Sequence, residues 1–481
     1  MATPGTDSST GAVVAGGSAA TVAAATEVLS EGGNAFDAAV AGGLAAGVAE
    51  PALTSLAGGG FMTARKSDGE QFVADFFVSV PGIDAEGAHD PNELVAVPVH
   101  FGGAVQDFHV GAASVAVPGC LPGYLAVHER HGRMELARVV APAVRLARSG
   151  VEIDRWQAHV LTLLEPILAR NPEGRELFFD DTGTLLGAGS RMVNPALAQF
   201  LDDIGAGARH GFRAGELGGQ VTGADLESWS VEWREPLQVP HGGGLLAINP
   251  APSFGGRLVA HALEQLADAP RLTGVDGPDA ALALAGALES LHGYRSTLGE
   301  GTSRGTTHMG VIDHDGNTVA LTTSNGSCSG EFASGLGVQL NNMMGESDLH
   351  PGGFGSATPG QRIGSMMAPG ILTLPEGHVA LGSGGSERIR STITQLVERL
   401  SAGATADEAV RAPRIHWDGS TMQVEPGWSG GVLDALSSRW PVNVWQGRDL
   451  YFGGAHLVAD DGRVGPDPRR GGVGATVTAA T

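Results

Sequence analysis

The stretch "AATVAAATEVLSEGGNAFDAAVAGGLAAGVAEP" (19–51) is largely apolar and small-residued, with a polar, glycine-bearing interruption from Ser30 to Asn34. That pattern predicts two alanine-rich helices broken at Gly32-Gly33, with small residues suited to close packing on a sheet. "GGGFMTARKSDGEQFVADFFVSV" (58–80) then reads as two strands around a Ser67-Asp68-Gly69 turn. Helical stretches follow in "LPGYLAVHERHG" (121–132) and "ELARVVAPAVRLARSG" (135–150), and further strands in "REPLQVPHGGGLLAINPAPSFGG" (234–256). The clearest hairpin is "THMGVIDHDGNTVALTTSN" (307–325), turning at His314-Asp315-Gly316-Asn317. Another hairpin, "MAPGILTLPEGHVALGSGGS" (367–386), precedes the helix "STITQLVERLSAG" (391–403). The order is helices, hairpin, helices, hairpins, helix, which is not a βαβ alternation. It predicts an α+β fold with antiparallel sheets in layers, built as one interleaved domain without repeats or a long linker.

Composition narrows the class. With 481 residues and 42% hydrophobic content the chain can bury a large core. A formal net charge of -23 argues against nucleic-acid or anionic-membrane partners, which call for basic patches. Cys120 and Cys328 are too few for a disulfide framework or a zinc site. "MATPGTDSST" lacks the basic and apolar regions of a signal peptide, and "AAVAGGLAAGVA" is too short to span a membrane before Pro51. The expectation is a cytoplasmic enzyme or binding protein. The sequon "NGS" at 325–327 is idle in that setting.

G-x-S-x-G, the serine-hydrolase elbow, occurs at 301–305 and 427–431. Ser429 even lies between the strand-like "MQVE" and the helix-like "VLDALSSR". Too little chain follows it to complete a hydrolase sheet with an acid and a histidine, so the elbow reading is set aside. No H-E-x-x-H, P-loop or dinucleotide fingerprint is present, and no metal or organic cofactor is implied.

"GTSRGTTHMGVI" (301–312) places Thr306 where a glycine-rich loop enters a strand. A threonine hydroxyl is a weak nucleophile unless a base adjoins it. An N-terminal threonine carries that base as its own α-amino group. In a precursor this requires cleavage of the preceding bond, and a flexible Gly305 would admit the strained conformation involved.

"EGGNAFDAAVAGGLAAGVAEPALTSLAGGGFMTAR", "VPGCLPGYLAVHERHGRMELARVVAPAVRLARSGVEI", "NPAPSFGG", "GTTHMGVIDHDGNTVALT", "LNNMM" and "GSGGSERI" occur in this order. Together they resemble the gamma-glutamyltranspeptidase family of N-terminal-nucleophile hydrolases, from about residue 11 to about residue 475. The resemblance implies an αββα four-layer sandwich and self-cleavage between Gly305 and Thr306, with Thr306 as nucleophile. The products would be a large chain, 1–305, and a small chain, 306–481, that stay together. It implies an amidohydrolase or acyltransferase acting on a small amide or peptide through an acyl-enzyme. The alternatives are an acylase-like amidase on a non-glutamyl substrate, or a non-catalytic binding protein on the same scaffold. By the same resemblance Ser324, with Thr323 close behind, supplies a second hydroxyl, and Asn325 lies near an asparagine that binds substrate. Gly385, with Gly384 or Ser386 beside it, supplies backbone N–H groups to an oxyanion.

Several positions depart from the family pattern. "DFFV" puts Phe77 where the family has an arginine that clamps a glutamyl carboxylate, and a benzene ring cannot make that bidentate contact. Arg65 and Arg362 are alternative sources of such a clamp. Met343 replaces a polar residue, and Glu346 stands where an aspartate holds the substrate ammonium. In "SMMAP" Ser365 remains of a serine pair whose other member is Met366. The segment before the nucleophile is also shorter than the family's. These changes imply a more apolar acyl pocket, less suited to free γ-glutamate.

Overall fold

Period-two alternation on the strands and close approach of small-residue helices stack the chain in layers. The structure, a computed structural model, describes residues 11–84, 90–101, 104–298, 305–350 and 352–478. In chain order its principal strands begin with Ala12–Gly16 (β1), Gly59–Arg65 (β2), Gln71–Phe76 (β3), Glu232–Arg234 (β4), Leu237–His241 (β5) and Gly244–Ile248 (β6). They continue with Thr306–Ile312 (β7), Thr318–Ser324 (β8), Gly370–Leu374 (β9), Gly377–Gly384 (β10), Gly454–Ala459 (β11), Val464–Gly465 (β12) and Val473–Val477 (β13). A seven-stranded antiparallel sheet has the order β13-β1-β7-β8-β2-β3-β4. A six-stranded antiparallel sheet has the order β12-β11-β10-β9-β6-β5.

Helices Ala19–Ser30 (α1), Ala35–Ala49 (α2), Cys120–His131 (α3), Leu136–Ser149 (α4) and Pro195–Gly205 (α5) share one apolar core with the first sheet. Gly255–Gln265 (α6), Pro278–Leu298 (α7), Arg388–Ser401 (α8) and Gly430–Ser437 (α9) share another with the second. Val13, Ala15, Ile312, Ala320, Ile371, Ala380 and Val458 fill the space between the sheets. The result is the expected αββα sandwich. Among the described residues no helix is long and apolar enough to cross a membrane.

Local chemistry explains the elements nearest the site. Gly32 takes a φ of +92°, and Asn34 opens α2 by accepting from the N–H groups of Phe36 and Asp37 at 3.0 Å. Asp37 returns the bond to the Asn34 N–H, which completes a capping box. Small residues then let the sheet approach: a β-carbon on Gly42 would fall 2.5 Å from the Met309 side chain on β7. Ser429 is the N-cap of α9 and accepts from the Val432 N–H, so the second G-x-S-x-G is a helix start. The first runs through 301–304, outside the described residues.

Candidate active site

β7 and β8 pair from Thr306↔Ser324 at one end to Ile312↔Thr318 at the other. Alternation sends Met309 and Val311 into the helix-side core. It sends Thr306, His308, Gly310 and Ile312 toward the second sheet, where Thr306 meets Gly384, His308 meets Gly382 and Gly310 meets Val458. Thr306 is fully buried, and its Oγ1 has no hydrogen-bond partner among the described residues. Arg470 Nη1 donates to its carbonyl oxygen at 3.1 Å. A β-carbon on Gly384 would lie 2.2 Å from that same oxygen, so residue 384 must be glycine for the two sheets to close here.

Across the ladder, Ser324 Oγ accepts from the Gly326 N–H at 3.1 Å and donates to the carbonyl oxygen of Gly305. Gly305 itself packs so tightly that a β-carbon would stand 2.0 Å from the Gly326 carbonyl oxygen. Close approach is thus a requirement for glycine at 305 in addition to the flexibility expected from the sequence. Thr323, Ser324's neighbour, faces the other way and receives a bond from Thr54 Oγ1 at 2.9 Å.

Of the remaining candidates, Asn325 and Glu346 lie by the Ser324–Gly326 turn and Gly385 and Ser386 follow Gly384, whereas Ser365 braces a separate turn. Asn325 is buried, with Oδ1 accepting from Ser55 Oγ at 2.8 Å and Nδ2 directed to the Leu340 carbonyl, so its side chain braces the loop. Glu346 is buried and accepts from Ser327 Oγ at 3.0 Å. One of its oxygens would lie 3.3 Å from a β-carbon on Gly326, the glycine that touches Gly305. Beyond Gly384 the chain turns through Gly385 (φ +127°) and Ser386 (φ +59°) into α8. Ser365 is a staple: its Oγ accepts from the Met367 N–H, and its carbonyl accepts from the Phe254 and Gly255 N–H groups.

Phe77 is fully buried and stacks on Phe61 at 5.5 Å between ring centres. A β-carbon on Gly59, the cross-strand partner of Ser324, would lie 2.8 Å from the Phe77 ring. Met343 and Met366 belong to the same large apolar cluster as Phe77. Arg65 cannot compensate: it pairs with Thr318, six residues along the ladder from Ser324, or roughly 20 Å. Arg362 is committed to the carbonyls of Phe77 and Ser230, lies over the Trp229 ring and has Glu232 nearby.

Three residues that the sequence reading gave no role hold the start of β7: Arg470 reaches Thr306 itself, Glu50 its neighbour Thr307, and His308 lies two residues along the strand. Glu50, at the end of α2, accepts from Thr21 Oγ1 and Thr307 Oγ1 at 2.6 Å each, and burial raises its carboxyl above the usual range. His308 Nδ1 lies 2.7 Å from Thr322 Oγ1, and burial, aided by His456, holds its imidazole well below its ordinary pKa and so neutral. Arg470 is pulled down to about 10, chiefly by burial. The sequence hints were an acid closing an apolar helix in "GVAEP" and the paired arginines of "DPRRGG". Among the described residues no group of three or more His, Cys, Asp or Glu could hold a metal ion.

Two antiparallel sheets clad by helices on both sides form the layered fold of the N-terminal-nucleophile hydrolases, and Thr306 opens a strand of one of them. The sequence profile of gamma-glutamyltranspeptidase matches residues 21–300 and 278–477, and the chain belongs to that family. It is 30% identical over 475 residues to the acylase ACY 1 proenzyme of Pseudomonas sp. (strain V22), covering 87% of this chain and 84% of that one. It is 27% identical over 492 residues to the glutathione hydrolase proenzyme of Escherichia coli (strain K12), covering 86% and 82%. The fold matches a crystal structure of cephalosporin acylase from Bacillus halodurans with a TM-score of 0.81 at 21% identity, over 97% of this chain and 96% of that one.

Proposed function

We propose that Thr306 is the nucleophile of a self-processing amidohydrolase and that Ser324 activates the bond it first cuts. The observation that carries this reading is the Ser324 hydroxyl bonded to the Gly305 carbonyl, beside a Thr306 hydroxyl with no partner among the described residues. Thr306 Oγ1 attacks the Gly305 carbonyl carbon, the C–N bond breaks, and the nitrogen takes the hydroxyl proton. Water then hydrolyses the resulting ester, which frees the hydroxyl and leaves an α-amino group beside it as base. The products are chains of 305 and 481 − 305 = 176 residues. In turnover the same oxygen attacks an amide substrate, and water or an amine receives the acyl group. Denaturing electrophoresis of purified protein should show two bands, with the smaller beginning Thr306-Thr307-His308. A single band after long incubation would refute the reading and favour a non-catalytic binding protein.

An apolar acyl group suits this site better than γ-glutamate. Phe77 is buried against the Gly59–Ser324 rung in an apolar cluster that also holds Met343 and Met366, and Arg65 and Arg362 are placed or engaged elsewhere. A carboxylate desolvated there without a partner loses several kcal/mol, about a thousandfold in affinity. Phenylacetyl-p-nitroanilide should therefore be cleaved faster than γ-glutamyl-p-nitroanilide. The reverse preference would return the chain to the glutathione hydrolases.

A further inference from the structure

Among the described residues, only two side-chain-bearing residues hold a left-handed backbone: Cys328 at φ +67° and Ser386 at φ +59°. Every other described residue with a positive φ is glycine. An L residue is about 1 kcal/mol worse than glycine in that conformation, so a side chain kept there calls for a use. Cys328 has a structural one, with its Sγ 3.4 Å from Gln339 Oε1 inside an apolar cluster. Ser386 has none: it is 1% exposed, and its Oγ meets no hydrogen-bond partner among the described residues. A buried, unpaired hydroxyl is a second unfavourable feature at the same residue. Both would vanish with glycine.

The position supplies the use. Ser386 lies two residues past Gly384, whose α-carbon rests on the Thr306 carbonyl, and directly after Gly385 at the entry to α8. We propose that the Ser386 hydroxyl is a catalytic hydrogen-bond donor, satisfied only by the oxyanion that forms when Thr306 attacks an acyl substrate. The inference rests on the threonine nucleophile of the preceding section. In that step Thr306 Oγ1 bonds to the acyl carbon, and the carbonyl π electrons move onto oxygen. The hydroxyl proton passes to the Thr306 α-amino group, from which the departing amine takes it when the C–N bond breaks. Ser386 donates a hydrogen bond throughout and loses no proton. Self-cleavage does not need it, because Ser324 already holds the Gly305 carbonyl.

Ser386→Gly tests this cleanly, since it keeps the backbone N–H, relieves the left-handed strain and removes only the hydroxyl. The variant should process to two bands like the wild type and melt at the same temperature or higher. Its kcat, on whichever of γ-glutamyl-, glutaryl- or phenylacetyl-p-nitroanilide the wild type cleaves fastest, should fall roughly 100-fold. Ser386→Asn, which tolerates the left-handed region and offers an N–H donor, should recover part of that loss. Sulfonylation of Thr306 by phenylmethylsulfonyl fluoride, followed by mass spectrometry, should slow in parallel, because a sulfonyl oxygen takes the place of the oxyanion. A fully processed Ser386→Gly enzyme with wild-type kcat and labelling rate would overturn the proposal and leave the nucleophile standing. A wild type that stays one chain would instead overturn the nucleophile.

Discussion

The two ends of the β7–β8 hairpin use polar groups in opposite ways. At the turn, the buried Asp313 carboxylate accepts from the Asp315 and Asn317 N–H groups, from Asn317 Nδ2 and from the Ala35 N–H of α2, all within 2.8–2.9 Å. Its acceptor capacity is spent on holding the fold. At the other end, Thr306 Oγ1, Ser386 Oγ and His308 Nε2 are buried without partners among the described residues. At this hairpin the satisfied end holds the fold, and the end with bonds withheld holds the proposed nucleophile.

The sharpest way to break this contrast is Thr306→Ala. It should abolish self-cleavage and activity together while leaving the protein folded, as judged by gel and circular dichroism; a processed alanine variant would place the nucleophile elsewhere. Next, Ser324→Ala removes the donor from the Gly305 carbonyl and should slow self-cleavage by roughly 10²–10³-fold, with Ser324→Thr recovering most of it. An unchanged rate would mean that the Gly305 contact is only structural. Asp313→Ala, at the satisfied end, should cost about 2–4 kcal/mol in urea unfolding because it strands several buried donors. The folded fraction should still process at the normal rate, and a processing defect there would erase the distinction between the two ends.

The smallest effect is on pH. Burial lowers His456, behind His308, to about 4 from an ordinary 6.5. Above pH 6.5 neither folded nor unfolded chain is protonated there, so nothing is lost. As pH falls from 6.5 toward 4 the unfolded chain takes the proton and the folded chain does not, and stability drops by about 1.4 kcal/mol per pH unit. His456→Gln should make urea stability less steep with pH between 7 and 5 than in the wild type; parallel curves for variant and wild type would show that the histidine is not held neutral.

Much of this was legible before any coordinate. The helix break at Gly32-Gly33, the 307–325 hairpin and Thr306 at a strand entry follow from local rules, because caps, turn residues and alternation act within a few positions. The hairpin Val95–Phe101 with Ala104–Val110 and the helix Arg155–Leu168 were not read, and they pack in a separate cluster away from the main layers. Glu50 and Arg470 escaped for a different reason. They reach Thr307 and Thr306 from 257 and 164 positions away, and no local pattern reports which distant segments a sheet will bring together. The packing of Phe77 against Gly59 depends on a glycine run whose use only the closed sheet reveals.

The strand order carries a consequence for assembly. β1, from before Gly305, lies between β13 and β7, both from after it, while β8 pairs with β2 across the same divide. In the second sheet β6 and β9 make the corresponding seam. A cut at Gly305 therefore yields two chains threaded through each other like the teeth of a closed zip, with no face along which they can part. Releasing either one means stripping whole strands out of both sheets, so the nicked protein should come apart only as it unfolds. Made separately, each piece would present raw strand edges to its neighbours and aggregate.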